Sequence, residues 1–549
     1  MSVTRRVFLQ RTGAAAVITA AAAAVPRPLL AQLGREPEPV PPVEDPRLRA
    51  LTARALESAR SAGARYADVR LTHTRTREFW ARFVHDEEAL TVGVRALVDG
   101  YWGFASSPVW SPDEMARLGR EAVHHAKVSA VGRPRTVELA PAPVVEDGHW
   151  TMPVELDPFA LSPFEMEDFL RGLEIYAGRI TSGGVRVGIQ LNNATGVVQE
   201  KVFASTDGSY YTQRTYHTGG VFAGRVRLVE SGIDSPFSLD CLSFAGLGWE
   251  LYAAERVPQV RDQPLREVIR QRVEETRETM LMPVKPVEVG RYDAVLDAWS
   301  MAQLIDHTLG RATELDRALG YEANAGGTSY LNDPFAMLGT YEAGAPLLTV
   351  TGNRSDPGAV ATVQWDDEGV RPDAFPLVKD GVLTDFQTTR ESAGWLEELY
   401  AKTGRPFRSH GCANAPAAVD APLQHTPNLV LASGREALDF DALVAGMSEG
   451  IAVKRVGLDM DFQNSSGLGT GEVYEIKRGK RVARIASAGF LFRATELWKG
   501  LLDLGGAASV LRYGVSGSKG EPAQHCLHSV SAPPAAMKQL TLIDPLRKA

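Results

Sequence analysis

The spacing of hydrophobic positions changes several times along this chain, and each change predicts where an element begins or ends. Leu51, Ala55, Leu56 and Ala59 recur at helical spacing, after which Tyr66-Ala67-Asp68-Val69-Arg70-Leu71 alternates as a half-buried strand does. Further strands are expected at Leu90 to Val98 and Val185 to Leu191. Helices are expected over Pro112 to Val128 and Pro163 to Arg179. Ser111 and Ser162 precede them, each able to accept from a free N–H of the first turn while proline fills the first helical position. Pro264 to Met280, dense in Arg and Glu, predicts one long solvated helix, and Pro283 and Pro286 mark a hinge over 283–290.

Beyond Gly290 the apolar runs become short and β-branched: Tyr292 to Leu296, Leu347 to Val350, Ala359 to Val363, Asn428 to Leu431, Val473 to Lys477 and Val482 to Ile485. The expected fold class is α+β, with an N-terminal α/β-type domain over 48–282 and a mainly β C-terminal domain over 283–549. Length agrees, because 549 residues exceed what one hydrophobic core usually organises.

The first residues fit neither domain. Thr4-Arg5-Arg6-Val7-Phe8-Leu9-Gln10 places paired arginines before a weakly apolar run, Gly13 to Val25, which is the twin-arginine export pattern. That run is too short and alanine-rich to span a bilayer. A signal peptide over 1–31 is expected, with a site for cleavage at Leu29-Leu30-Ala31, then a Pro-rich tether over 32–47 containing EPEPVPPVEDP. The protein is accordingly expected in the periplasm, exported folded, with no stable membrane span after leader cleavage. An uncleaved N-terminal anchor is the other reading.

Formal charge is −8 and falls to −12 when Arg5, Arg6, Arg11 and Arg27 leave with the leader, which argues against nucleic acid as a partner. Cys241, Cys412 and Cys526 are too few and scattered for a disulfide framework.

Candidate chemistry concentrates between Trp299 and Tyr330, WSMAQLIDHTLGRATELDRALGYEANAGGTSY. Ser300, Leu304, His307 and Arg311 fall on one helical face, and Gly310 and Gly320 are places where a helix bends or stops. By itself the segment is a polar amphipathic helix followed by a glycine loop.

Ala312-Thr313-Glu314-Leu315-Asp316-Arg317-Ala318-Leu319-Gly320-Tyr321-Glu322-Ala323-Asn324 resembles the twin-arginine-exported branch of the TldD/PmbA metallopeptidase family. Asp366-Asp367-Glu368-Gly369, Lys379-Asp380-Gly381-Val382-Leu383, Ser409-His410-Gly411-Cys412-Ala413-Asn414 and Thr495-Glu496-Leu497-Trp498 resemble further family strings, as does Phe203-Ala204-Ser205-Thr206-Asp207-Gly208. The family signature has the form His-Glu-x-x-x-His followed by Glu-x-Asp. In register with Glu314 and Asp316, its first histidine falls on Asp306, its glutamate on His307 and its second histidine on Arg311.

The resemblance implies zinc held in active relatives by two histidines and a C-terminal cysteine, with the glutamate as general base. Here the cysteine belongs near Ser516 to Lys519, where none stands, and Arg311 is a permanent cation with no lone pair to donate. No metal cofactor is expected. Arg311 is expected to replace the ion's charge by pairing with Asp306 or Glu314. His307 keeps the general-base position, and Glu314, Asp316, His410 and Cys412 are candidate cleft-lining residues. An altered site using Asp306, His307 and Cys526 or His525 is the alternative.

Elsewhere, Asp366-Asp367-Glu368 is read as a solvated turn, or else as a hard-cation site. Cys412 near His425 offers a nucleophile reading beside a packed-thiol one, and Asn464 to Gly471, NSSGLGTG, reads as a cleft-lining loop. By resemblance, the expected function is a non-catalytic, cleft-forming or peptide-recognising subunit paired with an active paralogue, or a homodimer. The alternatives are an active peptidase acting on small or unfolded peptides through an altered metal site, and a stand-alone periplasmic peptide-binding protein.

Overall fold

The computed structural model describes residues 42–546, apart from 44, 81–82, 131–135, 254–255 and 258–262. The expected leader and most of the tether lie outside the described residues, and the tether's last two residues, Pro46 and Arg47, already belong to a helix. Helix α1 (Pro46–Ala62) opens on Asp45, whose carboxylate accepts from Arg47 N at 2.8 Å. Helices α2 (Pro112–Ser129) and α3 (Pro163–Gly178) open on Ser111 and Ser162, the latter in a reciprocal cap with Glu165.

Seven strands build the main sheet of the N-terminal half: β1 (Tyr66–Trp80), β2 (Phe83–Val98), β3 (Tyr101–Ser107), β4 (Gly148–Thr151), β5 (Val185–Ser205), β6 (Tyr210–Leu228) and β7 (Asp234–Ser238). They form one sheet in the order β3-β2-β1-β5-β6-β4, with β7 on β6. β1, β2 and β5 run well past their expected limits. The first eight residues of β1 are all buried, because α1 and α2 cover one face of the sheet and the C-terminal half meets the other. Two-sided burial erases the alternation that marks a strand in sequence.

Helix α4 (Leu265–Leu281) differs from the expected solvated helix. Leu265, Ile269, Val273 and Thr276 make a buried stripe against the sheet, while the Arg and Glu residues pair along the outer face. The hinge is likewise partly structured, since β8 (Val284–Lys285) joins a sheet of the second half.

That half contains β9 (Gly290–Leu296), helix α5 (Ala298–Ile305), β10 (Val350–Asn353), β11 (Ala374–Lys379), β12 (Val382–Leu383), β13 (Leu429–Leu431), β14 (Glu449–Met460), β15 (Ser466–Lys477), β16 (Lys480–Ile485), β17 (Gly489–Arg493), β18 (Leu501–Leu504), β19 (Leu511–Lys519), β20 (Gln524–Ala532) and β21 (Ala535–Ile543). One sheet runs β8-β16-β15-β14-β9-β21-β17 with β18 on β21, and β17 also pairs with β15, closing five strands into a ring. The other runs β12-β11-β10-β13-β20-β19. A single core containing Met301, Leu304, Ile305, Leu429, Val453 and Val530 joins both sheets across α5. The chain is thus α+β, as its pattern predicted.

Three further local expectations are overturned, the first being Leu347 to Val350, which reaches a ladder only at Val350 where β10 begins. Ala359 to Val363 is not a strand: its N–H groups are satisfied by Ser529 Oγ, Asn428 Oδ1 and Arg354 O instead of a ladder. NSSGLGTG is no loop beyond Ser465 but the start of β15. A Cβ at Gly469 would stand 2.3 Å from the Phe490 ring, so close ring packing is what this glycine permits.

Candidate functional site

Helix α5 is capped by Asp297, which accepts from Ser300 N at 2.9 Å. It is not the expected polar helix, since Ala298, Ser300, Met301, Ala302, Leu304 and Ile305 are all buried between the two sheets. At Asp306–Gly310 the helix widens into one π turn, closed by Arg311 N donating to Asp306 O at 3.0 Å. The expected face therefore runs from a buried end at Ser300 to a half-exposed one at Arg311.

Asp306 is fully buried. Its Oδ1 accepts from His528 Nε2 on β20 at 2.8 Å, while Arg311 Nη2 stands 3.5 Å and His307 Nδ1 3.3 Å from Oδ2. Burial opposes the charge on Asp306, but His528, Arg311 and the His528 bond outweigh it and hold the carboxyl well below its usual range. Of the two expected partners of Arg311, the structure places Asp306. His307 donates Nδ1–H to Gln303 O at 3.0 Å, and burial lowers its pKa, so it is neutral at pH 7.

One turn further on, Glu314 and Asp316 meet a different cation. Lys519 Nζ, at the end of β19, donates to Glu314 Oε2 at 3.0 Å and to Asp316 Oδ1 at 2.7 Å, and Arg317 Nε donates to Glu314 Oε2 at 2.9 Å. Thr426 completes Glu314 from the other side at 2.9 Å. Burial weighs against ionising both carboxylates. Lys519 and Arg317 override it for Glu314, whereas Asp316, burdened by the neighbouring Glu314, stays above its ordinary value. Lys519 is itself buried yet raised, because Asp316 and Glu314 outweigh its desolvation.

Asp306, Arg311, Glu314, Arg317, His425, Lys519, Cys526 and His528 line one cavity of about 20 Å³, room for about one water. Zinc does not fit these residues. It needs neutral imidazole, thiolate and carboxylate donors converging on one point. Among the described residues no three such side chains do so. His528 is spent on Asp306, and Cys526 accepts from Asn414 Nδ2 at 2.9 Å with its thiol pushed by burial up to about 12. Lys519 and Arg317 would repel a cation. Of the alternative ligand set, Asp306 and Cys526 do reach this cavity; His307 turns back on its own helix, and His525 is not among the lining residues.

The other candidates lie elsewhere. Cys412 is buried in the C-terminal core with its thiol raised to about 12 by burial, and His410 stacks on Phe375 between Asp373 and Asp385. Neither borders the cavity, and a buried neutral thiol is no nucleophile. The solvated turn expected at Asp366-Asp367-Glu368 is overturned, since all three are buried. Lys201 on β5 donates to Asp367 at 2.9 Å, and Arg95 on β2 bridges Glu368 at 3.0 Å and Asp68 at 2.7 Å. Two of the three carboxylates are thus already paired with side-chain cations.

Sequence reasoning missed Lys519, Arg317 and His528, and it set His425 beside Cys412 and not at this cavity. Lys519 stood inside the very segment searched for a cysteine, and its own charge went unread. His528 follows Cys526 by two residues, which on a strand sets both on one face.

Residues 289–543 match the family model of the PmbA/TldA metallopeptidase C-terminal domain, and residues 83–126 match that of PmbA/TldA metallopeptidase domain 1. The chain is 21% identical over 350 residues to Metalloprotease MJ0996 of Methanocaldococcus jannaschii, covering 62% of this chain and 69% of that protein. Among solved structures it resembles a putative modulator of a DNA gyrase (TM0727) from Thermotoga maritima, with a TM-score of 0.65 at 15% identity over 90% of this chain and 100% of that one. It also resembles TldE from Thermococcus kodakarensis, with a TM-score of 0.62 at 14% identity over 90% and 99%.

Proposed function

Because this chain belongs to the PmbA/TldD metallopeptidase family, we propose that it is a member that has exchanged its metal for fixed side-chain cations and serves as the non-catalytic subunit of a peptidase. One observation carries the reading: Arg311 beside Asp306, and Lys519 with Arg317 on Glu314 and Asp316, neutralise the carboxylates at the motif locus without an ion. A divalent cation there would have to displace two buried positive groups, each held by carboxylates.

In this reading the retained scaffold pairs with a paralogue bearing an intact His-Glu-x-x-x-His, or with a second copy, and contributes to shaping or recognition of peptide. The proposal places the protein in the periplasm, on the strength of the Thr4 to Gln10 string. The rival reading, an active peptidase with an altered site, draws on the presence of Cys526, His528 and Asp306 around one cavity.

Elemental analysis of the purified full chain separates the two. We expect far less than one zinc per chain and no peptide hydrolysis. Near-stoichiometric zinc that Asp306→Ala abolishes would overturn the proposal. Purification from the native host should bring down a second family member with the intact motif.

A further inference from the structure

A cleft of about 690 Å³ opens where the two halves meet, and it shares no lining residue with the cavity around Asp306. Its size falls within the span of small-ligand clefts, roughly 300–1,000 Å³. Trp150, Met152 and Leu247 from the N-terminal half face Val510 from the C-terminal half, giving the cleft apolar walls.

Two arginines line the same cleft, and they differ in what their guanidinium groups have left to offer. Arg512 is fully engaged, donating to Asp356 Oδ2 at 2.6 Å, Pro357 O at 2.7 Å and Ser531 Oγ at 3.3 Å. Arg371 is exposed, and among the described residues it has no carboxylate partner; no Asp or Glu lines the cleft either. Gln364 adds an amide that can both donate and accept. An uncompensated guanidinium, always charged and shaped to meet a carboxylate with two parallel bonds, selects an anion held close to an apolar group. The volume is several side chains in extent, and the side-chain amide suits a peptide backbone.

We infer that this cleft binds the C-terminal end of a short peptide, its free carboxylate on Arg371 and its last, apolar side chain against Trp150, Met152, Leu247 and Val510. The inference gives the recognition role proposed above a location, but it requires neither the loss of the metal nor a paralogue. Zinc analysis tests that earlier reading and leaves this one untouched.

The test is calorimetric titration of the purified full chain with acetylated alanyl-alanyl-phenylalanine as the free acid, and with the same peptide amidated. The acid should bind, and amidation should weaken it by about tenfold or more, the worth of a charge-assisted bond. Arg371→Glu should weaken it at least as much, and Arg371→Lys should restore part of the affinity. Because Arg371 is exposed and carries no partner, neither variant threatens the fold. Undetectable binding, equal affinity for acid and amide, or an unchanged Arg371→Glu variant would overturn the inference. So would equal affinity for acetylated phenylalanine alone, which would make the occupant a small acid and not a peptide end.

Discussion

Two clusters of carboxylates are buried in this molecule, and they differ in where their counter-charges come from. At Asp366, Asp367 and Glu368 the cations are Lys201 on Asp367 and Arg95 on Glu368, reaching from the N-terminal sheet into the C-terminal half and fastening the halves together, while Asp366 is held by backbone N–H groups and pushed by burial up to about 7. At Asp306, Glu314 and Asp316 the cations are Arg311, Arg317 and Lys519, all from the C-terminal half and all beside the family's metal motif. Side-chain cations serve both; only the second lies on the segment that the sequence reading singled out for chemistry. A buried acidic string therefore carries no functional meaning until its partners are known.

The largest expected effect tests the fastening role. Arg95→Ala strips the shared partner from Asp68 and Glu368, and should cost about 3–5 kcal/mol, the usual penalty for orphaning a buried charge. Denaturant unfolding measures it, and a loss below about 1 kcal/mol would remove this cluster from the account of what joins the halves.

Next comes the motif cluster. Lys519→Met should destabilise by about 3 kcal/mol, somewhat less because Glu314 keeps Arg317. Adding Asp316→Asn to Lys519→Met should recover part of that loss, since the lysine and one carboxylate then leave together and Glu314 stays matched by Arg317. Failure of this double variant to recover would show that Lys519 acts through packing more than through charge.

Much of this architecture could be read in advance, and what could not has a physical cause. Ser111 and Ser162 with their following prolines marked two helix starts to the residue, because a cap is a local bargain between neighbours. β1 could be found but not bounded, since two-sided burial hides its period. Asp366 to Glu368 was misread because its cations lie 166 and 273 residues away, beyond any window of local pattern. The pairing of Arg311 with Asp306 was among the expected ones. Lys519 was not, because nothing local to that segment points to Glu314 and Asp316.

A smaller effect separates the two halves by pH. His425, at the motif cavity, is driven by burial and by Lys519 down to about 3. A histidine lowered in the fold gives stability that is complete above its unfolded value, near 6.5, and is lost as pH falls toward 3. At pH 5 the loss is about 2 kcal/mol, and His425→Asn should flatten that acid limb. His73, on β1, has the opposite sign. Burial lowers its pKa, but Glu200 at 2.9 Å and Glu88 at 2.6 Å raise it further, so its contribution is full below about 6.5 and fades as pH climbs through the raised value. His73→Gln should flatten only the alkaline limb. Unfolding free energies measured from pH 5 to 9 decide this, and identical profiles for the two variants would refute the contrast.

The smallest expected effect falls on the residue whose charge first drew attention to the motif. Arg311 is partly exposed and its nearest approach to Asp306 is 3.5 Å, whereas His528 holds the same carboxylate at 2.8 Å from a buried position. Arg311→Ala should therefore cost no more than about 1 kcal/mol, the scale of a screened pair, and Asp306 should stay ionised on His528 alone. Arg311→His should not draw zinc into the site, because Lys519 and Arg317 would still repel it from Glu314 and Cys526 would still be a protonated thiol. Zinc taken up by Arg311→His would mean that a single guanidinium had been excluding the ion, and that the buried lysine opposite it had not.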